Sequence, residues 1–296
     1  MTAPRWRIWL GAIRPRTLTA AVAPVMVGSA LAARDGRYDA VAAGLCLAFA
    51  LLIQIGTNLA NDYHDFVRGA DTPARVGPLR AVAAGVITPA SMRRAAWGVL
   101  GVAFCTGLTL IAWGGPWLIA VGVASVVCAI AYTGGPWPLG YHGLGDVFVF
   151  IFFGLVAVGV TYFVQAARFG IDPLLAAAPV GLLAANILVV NNYRDFTTDA
   201  AAGKRTLVVR FGRRAARRQF VISWAFAFAL PLVLALRSRA PGCSLPLLLA
   251  PVAWGQMQRL NESAAAATLI VLLEDCAKSL AAFALLFSAG LLLPPF

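Results

Sequence analysis

Long apolar runs alternate with short basic segments along the whole chain. A helix that crosses a bilayer needs about 20 predominantly apolar residues, and nine segments approach that length. They cover residues 17–33, 40–60, 95–113, 117–133, 146–166, 173–191, 219–236, 244–257 and 277–293. The eighth is the shortest, and residues 259–275 have the pattern of an amphipathic interfacial stretch leading into the ninth. The pattern predicts an all-α integral membrane protein, a single domain over residues 1–296 with nine transmembrane helices.

The composition supports this prediction. Hydrophobic residues make up 60% of the 296 positions and charged residues only 12%, whereas a typical soluble domain has about 25% charged residues. The net charge of +12 would suit a nucleic-acid-binding protein, but the basic residues lie between the apolar runs, so we expect no nucleic-acid partner. The 5 cysteines have no metal-ligand spacing and are expected to pack as small apolar side chains. No cleavage site follows the basic start, so no signal peptide is expected.

The basic residues also predict an orientation. They cluster in residues 5–16, 68–94 and 194–218, and these three segments fall on one side of a membrane crossed nine times. The loops on the other side contain few Lys or Arg residues. Because cytoplasmic loops carry the excess of Lys and Arg, the N-terminus is predicted to be cytoplasmic and the C-terminus external.

One hexapeptide occurs twice in this acid-poor chain. NDYHDF covers residues 61–66 and NNYRDF covers residues 191–196, and four of the six letters are identical. Each copy begins where a predicted span ends on the cytoplasmic side. Of the 12 acidic residues, five lie in or beside the two copies, within residues 58–71 and 191–199: Asp62, Asp65, Asp71, Asp195 and Asp199.

The spacing of these polar residues suggests a metal site. Asn191, Asp195 and Asp199 are separated by four residues each and would share one helix face. Two such clusters facing each other would repel unless a cation lay between them, and Mg²⁺ is bound by carboxylates, water and phosphate oxygens. The predicted metal ligands are Asp62, Asp65, Asp195, Asp199, Asn61 and Asn191, with Asn58 in support.

Basic residues beside both motifs suggest that the metal is bound together with a phosphate. The segment GKRTL directly follows the second motif and contributes Lys204 and Arg205, which suit phosphate oxygens. Arg68 and Arg80 are further candidates, although both could serve only as cytoplasmic membrane anchors. The sequence therefore predicts a magnesium–diphosphate site at the cytoplasmic end of a helix bundle. The structural alternative is that the acids merely pair with arginines at helix ends.

A membrane transporter coupled to an ion is the rival from a different functional class. Transporters also carry acids within membrane helices, but their sites lie near the bilayer midplane at broken helices. Here the acids lie at helix ends beside bases that suit phosphate. Release of diphosphate from a substrate would distinguish the two classes.

The two motifs, read as NDYHDFVRGADT and NNYRDFTTDAAAGKRTL, resemble those of the UbiA superfamily of intramembrane prenyltransferases. Three more segments share the resemblance: RPRTLTAAVAPVMVG (14–28), GPLRAVAAGVITP (77–89) and YTGGPWPLGYHGLGDVFVFIFFG (132–154). They are most similar to the branch that prenylates 1,4-dihydroxy-2-naphthoate. Other branches have a third Asp where this chain has Gly69, and Asp71 follows two residues later. The match is weakest over residues 258–276.

The resemblance implies nine helices around a central cavity, with helical caps over a cytoplasmic active site, in a bacterial cytoplasmic membrane. It implies that Mg²⁺-dependent loss of diphosphate from a polyprenyl diphosphate precedes attack on the naphthoate ring, with loss of CO₂ and formation of demethylmenaquinone. Another aromatic acceptor, such as 4-hydroxybenzoate, remains the alternative.

Other residues are candidates for binding the acceptor and for surrounding the allylic cation. Arg14 or Arg16 could hold the acceptor carboxylate, and a general base, if one is used, could be His142 or Asp146. A cation needs a dry pocket with aromatic walls, and the tail is expected to leave sideways into lipid. The aromatic candidates are Phe66, Tyr132, Phe148, Phe150, Phe152, Phe153 and Tyr162.

Overall fold

The computed structural model describes residues 4–71 and 80–294, and all regular secondary structure within them is helical. The α-helices are α1 (Arg5–Ile13), α2 (Thr19–Arg34), α3 (Ala40–Val67), α4 (Pro89–Thr109), α5 (Ile111–Gly114), α6 (Leu118–Ala131), α7 (Gly145–Val149), α8 (Ala157–Ala166), α9 (Ile171–Arg194), α10 (Phe196–Ala201), α11 (Leu207–Ser238), α12 (Ala250–Glu262) and α13 (Ala266–Leu292). Short 3₁₀ segments cover Pro15–Thr17, Leu139–His142 and Pro241–Leu249, and a π-helical segment covers Phe150–Val156. The start of the GPLR segment and Arg75 lie outside the described residues.

Each of the nine predicted apolar segments coincides with a helix or with consecutive helical pieces. Within the described residues, five helices are long and apolar enough to cross a bilayer, and a sixth span results if Arg5–Thr17 and Thr19–Arg34, bent by 48°, count as one. The all-α membrane class is therefore confirmed, whereas nine crossings stay a prediction. The expected interfacial stretch differs, because α12 ends at Glu262 and α13 already begins at Ala266.

Close backbone contacts and local breaks shape the helices around the interior. The fifth apolar segment consists of α7, the π-helical segment and α8, and it packs on α9 where Gly154 meets Gly181. A Cβ atom on Gly154 would lie only 2.8 Å from the Gly181 Cα atom. In membranes, small residues of this kind let helix backbones approach each other closely.

Three apolar clusters hold the bundle together. The largest joins α2, α8, α9, α11 and α13 around fully buried side chains such as Trp224 and Phe283. A second lies between α1, α3, α4 and the turn at residues 81–87. We call the third the floor cluster; its buried members are Val25, Ala42, Cys46, Leu110, Leu118 and Val164. Helix α3 packs most extensively on α4, α9 on α11, and α2 on α13.

Candidate active site

A cavity of about 330 Å³ lies inside the bundle and has two chemically different parts. We call the polar end the end of the bundle that carries Asn61 and Asn191. There the cavity wall is formed by Arg14, Asn58, Asn61, Asp65, Arg80, Thr133, Asn191 and Lys204. Away from this end the wall is mostly aliphatic and aromatic and leads to the floor cluster. Such a cavity suits a ligand with an anionic head and an apolar body.

The first motif forms the last two turns of α3, which continues to Val67. Asp65 is only 3% exposed. One of its carboxylate oxygens lies 2.5 Å from Arg80 Nη1, and the other accepts a hydrogen bond of 2.8 Å from the Tyr141 hydroxyl. Arg80 also donates to the Asn61 carbonyl at 2.7 Å, and its Nε atom lies 3.4 Å from Asp71. Asp71 therefore helps to position Arg80 beside Asp65.

Asp62 has a different environment from the other acids of the first motif. Its carboxylate accepts hydrogen bonds from the backbone N–H groups of Ala81 (3.2 Å) and Val82 (3.4 Å). It is buried and is not part of the cavity wall. In this structure Asp62 fixes the turn after Arg80, rather than facing the cavity as a predicted metal ligand would.

The second motif departs from the single helix face that the spacing suggested. Helix α9 ends at Arg194, and α10 begins after Asp195. The Arg194 guanidinium donates to the Asp195 carboxylate at 2.7 Å and to the Asn191 side-chain carbonyl at 2.9 Å. The amides of Asp195 and Asp199 still bond to the carbonyls four residues earlier, at 3.0 and 2.8 Å. The helical spacing therefore survives the break between the helices.

Lys204 is brought back over the second motif by the turn that follows α10. Gly203 has a φ of +71°, a conformation that glycine adopts at little cost. The Lys204 amide donates to the Asp199 carbonyl at 2.8 Å, and its ammonium lies 3.5 Å from the Asp199 carboxylate. Lys204 also lines the cavity, so one positive charge contacts both the motif and the interior.

The carboxylate of Asp199 fits a role in binding a cation. Burial raises the pKa of Asp199, the nearby Lys204 opposes the rise, and the carboxylates of Asp195 and Asp65 add to it. One buried oxygen of Asp199 has no hydrogen-bond partner among the described residues. No group of three or more His, Cys, Asp or Glu residues within 4–71 and 80–294 forms a metal site by itself. The residues fit Mg²⁺ in the mode where one or two carboxylates act together with phosphate oxygens and water.

Tyr141 connects the two motifs and was missed by the sequence reasoning. Its hydroxyl bonds to Asp65, and its ring faces the guanidinium of Arg68 at 5.5 Å and the ammonium of Lys204 at 5.7 Å. Its carbonyl accepts a hydrogen bond of 2.9 Å from the Arg205 amide. Tyr141 lies in the segment GYHG, where only the neighbouring His142 had been considered.

Several predicted site residues are not brought into the cavity. The Arg205 side chain is exposed, and Arg68 donates to the Thr133 carbonyl at 2.9 Å. Asp146 is buried and accepts a hydrogen bond of 3.1 Å from Gln219. None of these three lines the cavity, and neither do Asp195 and Asp199 of the second motif, which lie beside the lining residues Asn191 and Lys204. His142 instead contacts the Pro138 carbonyl through Nδ1 at 2.9 Å.

The two candidate arginines for the acceptor differ in position. The Arg16 side chain pairs with Glu274 on α13, whereas Arg14 lines the cavity. Arg14 has a left-handed backbone, with a φ of 55°, between α1 and the 3₁₀ turn. The Thr17 hydroxyl bonds to the Arg14 carbonyl at 2.9 Å and accepts from Asn58 at 3.0 Å. This turn is therefore fixed to α3 at the polar end.

The aromatic candidates divide in the same way. Tyr132, Phe148, Phe152 and Phe153 line the cavity. Phe66 is 39% exposed, and the Tyr162 hydroxyl bonds to Asp35 at 2.6 Å at the opposite end of the bundle. Phe150 packs against Gly181. Four of the seven aromatic candidates therefore form cavity walls.

One cavity that joins charged groups to apolar walls inside a membrane bundle defines an intramembrane protein that binds amphiphilic ligands. The chain belongs to the UbiA prenyltransferase family, whose model matches residues 21–292. It is an enzyme that transfers prenyl groups.

Two curated relatives and one solved structure illustrate the similarity. The chain is 40% identical over 283 residues to the 1,4-dihydroxy-2-naphthoate octaprenyltransferase of Mycobacterium tuberculosis, covering 96% of each. It is 43% identical over 220 residues to the protein of the same name from Escherichia coli, covering 72% of this chain and 71% of that one. It superposes on a UbiA homologue from Archaeoglobus fulgidus bound to GPP and Mg²⁺ with a TM-score of 0.66, covering 95% and 99% of the two chains. Identity there is 16%, so that likeness concerns the fold.

Proposed function

We propose that the enzyme transfers a polyprenyl chain from a polyprenyl diphosphate to 1,4-dihydroxy-2-naphthoate, with Mg²⁺, and releases diphosphate and CO₂. The observation that carries the proposal is the cavity, where Asp65, Arg80, Asn191 and Lys204 surround one end and apolar walls form the rest. A diphosphate with an apolar tail matches this division. The names of the two curated relatives support the choice of naphthoate as acceptor.

At the polar end, the two motifs bind the diphosphate head in this proposal. Asp65, Asp195 and Asp199, with the side chains of Asn61 and Asn191, hold Mg²⁺ directly or through water. When bound, Mg²⁺ stabilises the charge that develops on the leaving diphosphate. Charge-assisted contacts from Lys204 and Arg80 hold the phosphate oxygens. Asp62 and Asn58 keep these groups in place.

The acceptor lies beside the head group, and its carboxylate is held by Arg14. The donor C–O bond breaks, a carbon–carbon bond to the ring forms, and the ring carboxylate leaves as CO₂. Tyr132, Phe148 and Phe152 shield the allylic cation from water, and the negative faces of their rings attract it. A dry site of this kind protects the cation until the ring attacks it.

For the whole chain, we propose nine crossings with the N-terminus and the site on the cytoplasmic side. The three basic segments 5–16, 68–94 and 194–218 support this orientation through the excess of Lys and Arg in cytoplasmic loops. The cavity residues Arg14, Arg80 and Lys204 belong to these segments. The basic residues therefore lie on the side from which a soluble acceptor would enter.

A product assay tests the proposal. Membranes containing the protein would receive prenyl diphosphates together with either 1,4-dihydroxy-2-naphthoate or 4-hydroxybenzoate, with and without Mg²⁺, and products would be identified by mass. We expect a prenylated naphthol that has lost CO₂, formed only with Mg²⁺ and accompanied by diphosphate. A product formed only with 4-hydroxybenzoate would show that this acid, and not the naphthoate, is the acceptor. If no diphosphate were released at all, the result would favour a transporter.

A further inference from the structure

The segment RRAARR in α11 carries two pairs of arginines with different surroundings. It begins directly after Gly212, where the backbone of α11 leaves the helical conformation with a φ of 81° and a ψ of 167°. Arg213 and Arg217 are four residues apart and share one helix face. Both are partly buried, whereas Arg214 and Arg218 are exposed. The partly buried pair contacts the second motif.

Arg217 binds the hydroxyl of Tyr193, the third residue of NNYRDF. It donates to this oxygen from Nε at 3.0 Å and from Nη2 at 2.8 Å. Tyr193 has no exposed surface and belongs to the largest apolar cluster. A buried hydroxyl needs a hydrogen-bond partner, and the planar guanidinium supplies its donors in a fixed geometry. Arg217 therefore fixes the position of the Tyr193 side chain.

Arg213 contacts aromatic rings on both sides of the break between α9 and α10. Its guanidinium lies 5.0 Å from the ring centroid of Tyr193, at the end of α9, and 5.1 Å from that of Phe196, at the start of α10. A cation at this distance from a ring is attracted to it, more strongly where water is excluded. The Nε atom of Arg213 is buried and has no hydrogen-bond partner among the described residues. One cation thus connects the last turn of α9 to the first turn of α10.

The two arginines of α11 support the aromatic residues around the acids, and the acids themselves have other partners. Asp195 lies in the break and pairs with Arg194 at 2.7 Å. Asp199 pairs with Lys204 at 3.5 Å. The position of the Asp195 carboxylate depends on the backbone of the break, because no continuous helix carries it there.

The first motif has a longer contact of the same kind. Its third residue is Tyr63, and the guanidinium of Arg93 in α4 lies 5.9 Å from the centroid of that ring. Helix α3 continues unbroken to Val67, so ordinary helix geometry places the Asp65 carboxylate. The closer arginine contacts therefore occur at the motif whose helix is broken.

We propose that Arg213 and Arg217 are positioning residues for the second motif. Through the rings of Tyr193 and Phe196 they fix the break between α9 and α10. The Asp195 carboxylate at this break is thereby held where the diphosphate and its Mg²⁺ bind. Neither arginine lines the cavity, so both act through the motif and not on the substrate. This inference rests on the proposed function.

A double-mutant cycle tests the bond between Arg217 and Tyr193. Tyr193→Phe removes only the accepting oxygen, and Arg217→Ala removes the donor. Each should raise the donor KM and the Mg²⁺ concentration for half-maximal activity by about tenfold, with kcat and the acceptor KM nearly unchanged. The double variant should be no worse than either single variant, because both remove the same bond. Arg218→Ala, on the exposed neighbour, is the matched control and should leave all four values unchanged.

A binding experiment provides a readout that does not depend on turnover. Calorimetric titration with geranyl diphosphate and Mg²⁺, without acceptor, measures the donor Kd. It should rise by about tenfold in Tyr193→Phe and in Arg213→Ala, and stay at the wild-type value in Arg214→Ala. Arg213→Lys should restore most of the affinity, since it keeps a cation that can reach both rings.

The outcomes separate this inference from the proposed function. A lower Tm with an unchanged donor Kd, or equal losses for donor and acceptor, would show a purely structural role and overturn the inference while the function stands. If the double variant showed the product of the two single effects, the bond between Arg217 and Tyr193 would not be the cause, and the inference would fail as well. If Arg217→Ala does not fold, Tyr193→Phe decides. A wild type that binds the donor but forms no product would overturn the function alone, and one that does not bind it would overturn both.

Discussion

At the scale of single residues, the two hexapeptides differ in their fourth position, and their surroundings differ with it. His64 in the first copy packs on Tyr63, with ring centroids 4.9 Å apart, and α3 continues past it. Arg194 in the second copy binds the carboxylate of Asp195 and the amide of Asn191, and α9 ends there. In the first motif, the positive charge beside the Asp65 carboxylate comes from Arg80, which lies outside the hexapeptide. The same letters therefore place their carboxylates beside different partners.

Lys204 and Arg205 are adjacent in the chain but should differ in function. Lys204 lines the cavity and contacts Asp199, whereas the Arg205 side chain is exposed. Lys204→Ala should lower kcat/KM for the prenyl diphosphate by about ten- to a hundredfold, since a charge-assisted contact contributes roughly 1.5–3 kcal/mol. Arg205→Ala is the matched control and should change it little. Kinetics with one substrate varied at a time would show this, and a larger donor defect in Arg205→Ala would contradict it.

Tyr141 should act through its hydroxyl on Asp65 and through its ring on the two neighbouring cations. Tyr141→Phe removes only the hydrogen bond to Asp65, so the Mg²⁺ concentration for half-maximal activity should change by about tenfold. Tyr141→Leu also removes the ring that faces Arg68 and Lys204, and donor KM should then rise as well. Titration of activity with Mg²⁺ measures the first effect, and variation of the donor at saturating Mg²⁺ measures the donor KM. Tyr38→Phe, on a residue 56% exposed, serves as control, and equal titration curves for all variants would refute the role.

At the scale of helices, the contact between Gly154 and Gly181 joins the π-helical segment to α9. A Cβ atom on Gly181 would lie 2.6 Å from the Phe150 carbonyl oxygen and 2.9 Å from the Gly154 Cα atom. Phe152 and Phe153 belong to the same π-helical segment and line the cavity, so a shift of this segment away from α9 would move part of the cavity wall. Glycine at this contact therefore preserves both the packing and the cavity wall.

Replacement of this glycine should destabilise the bundle. Gly181→Ala overfills the contact, and overpacking costs about 1–3 kcal/mol, so the Tm of the purified protein in detergent should fall by several degrees. Gly159→Ala in α8 is the matched control, because no atom lies within 4 Å of its added Cβ. Thermal unfolding monitored by circular dichroism compares the two variants. A lower Tm for Gly159→Ala than for Gly181→Ala would show that backbone contact is not the cause.

At the scale of the whole molecule, the two ends of the bundle carry different polar networks. At the end of the bundle opposite the polar end, Arg34 joins Asp35 at 3.0 Å and Asp172 at 2.9 Å. Arg237 also pairs with Asp172 at 2.9 Å, so the loops after α2, α8 and α11 are tied together. There Asp35 and Asp172 are both neutralised by arginine. At the polar end, by contrast, Asp199 keeps a buried oxygen without a hydrogen-bond partner among the described residues.

The orientation of the chain can be tested with reporters. A reporter within residues 200–215, beside Lys204, should be cytoplasmic, and one fused after Phe296 should be external. Positive charges in short loops favour the cytoplasmic side, and nine crossings place the two ends of the chain on opposite sides. Accessibility of the reporters in intact cells and in inverted vesicles measures this. Both reporters on one side would exclude nine crossings.

The sequence by itself determined the class of fold and the chemical character of the site. Apolar runs of nearly fixed length define membrane helices without reference to tertiary contacts, because the bilayer sets the length. The repeated Asn/Asp hexapeptide and the GKRTL segment likewise mark one acid and one base that line the cavity, Asp65 and Lys204. Local spacing is enough for such features, since a charged group in a membrane helix is rare and usually functional.

Only the tertiary structure decided which of several equivalent side chains faces the cavity. Arg14 and Arg16 are two residues apart in one motif, yet one lines the cavity and the other pairs with Glu274, 258 residues away in the chain. Tyr141 reaches Asp65 across 76 residues. These choices depend on where helices distant in sequence pack against each other, and local periodicity contains no information about that.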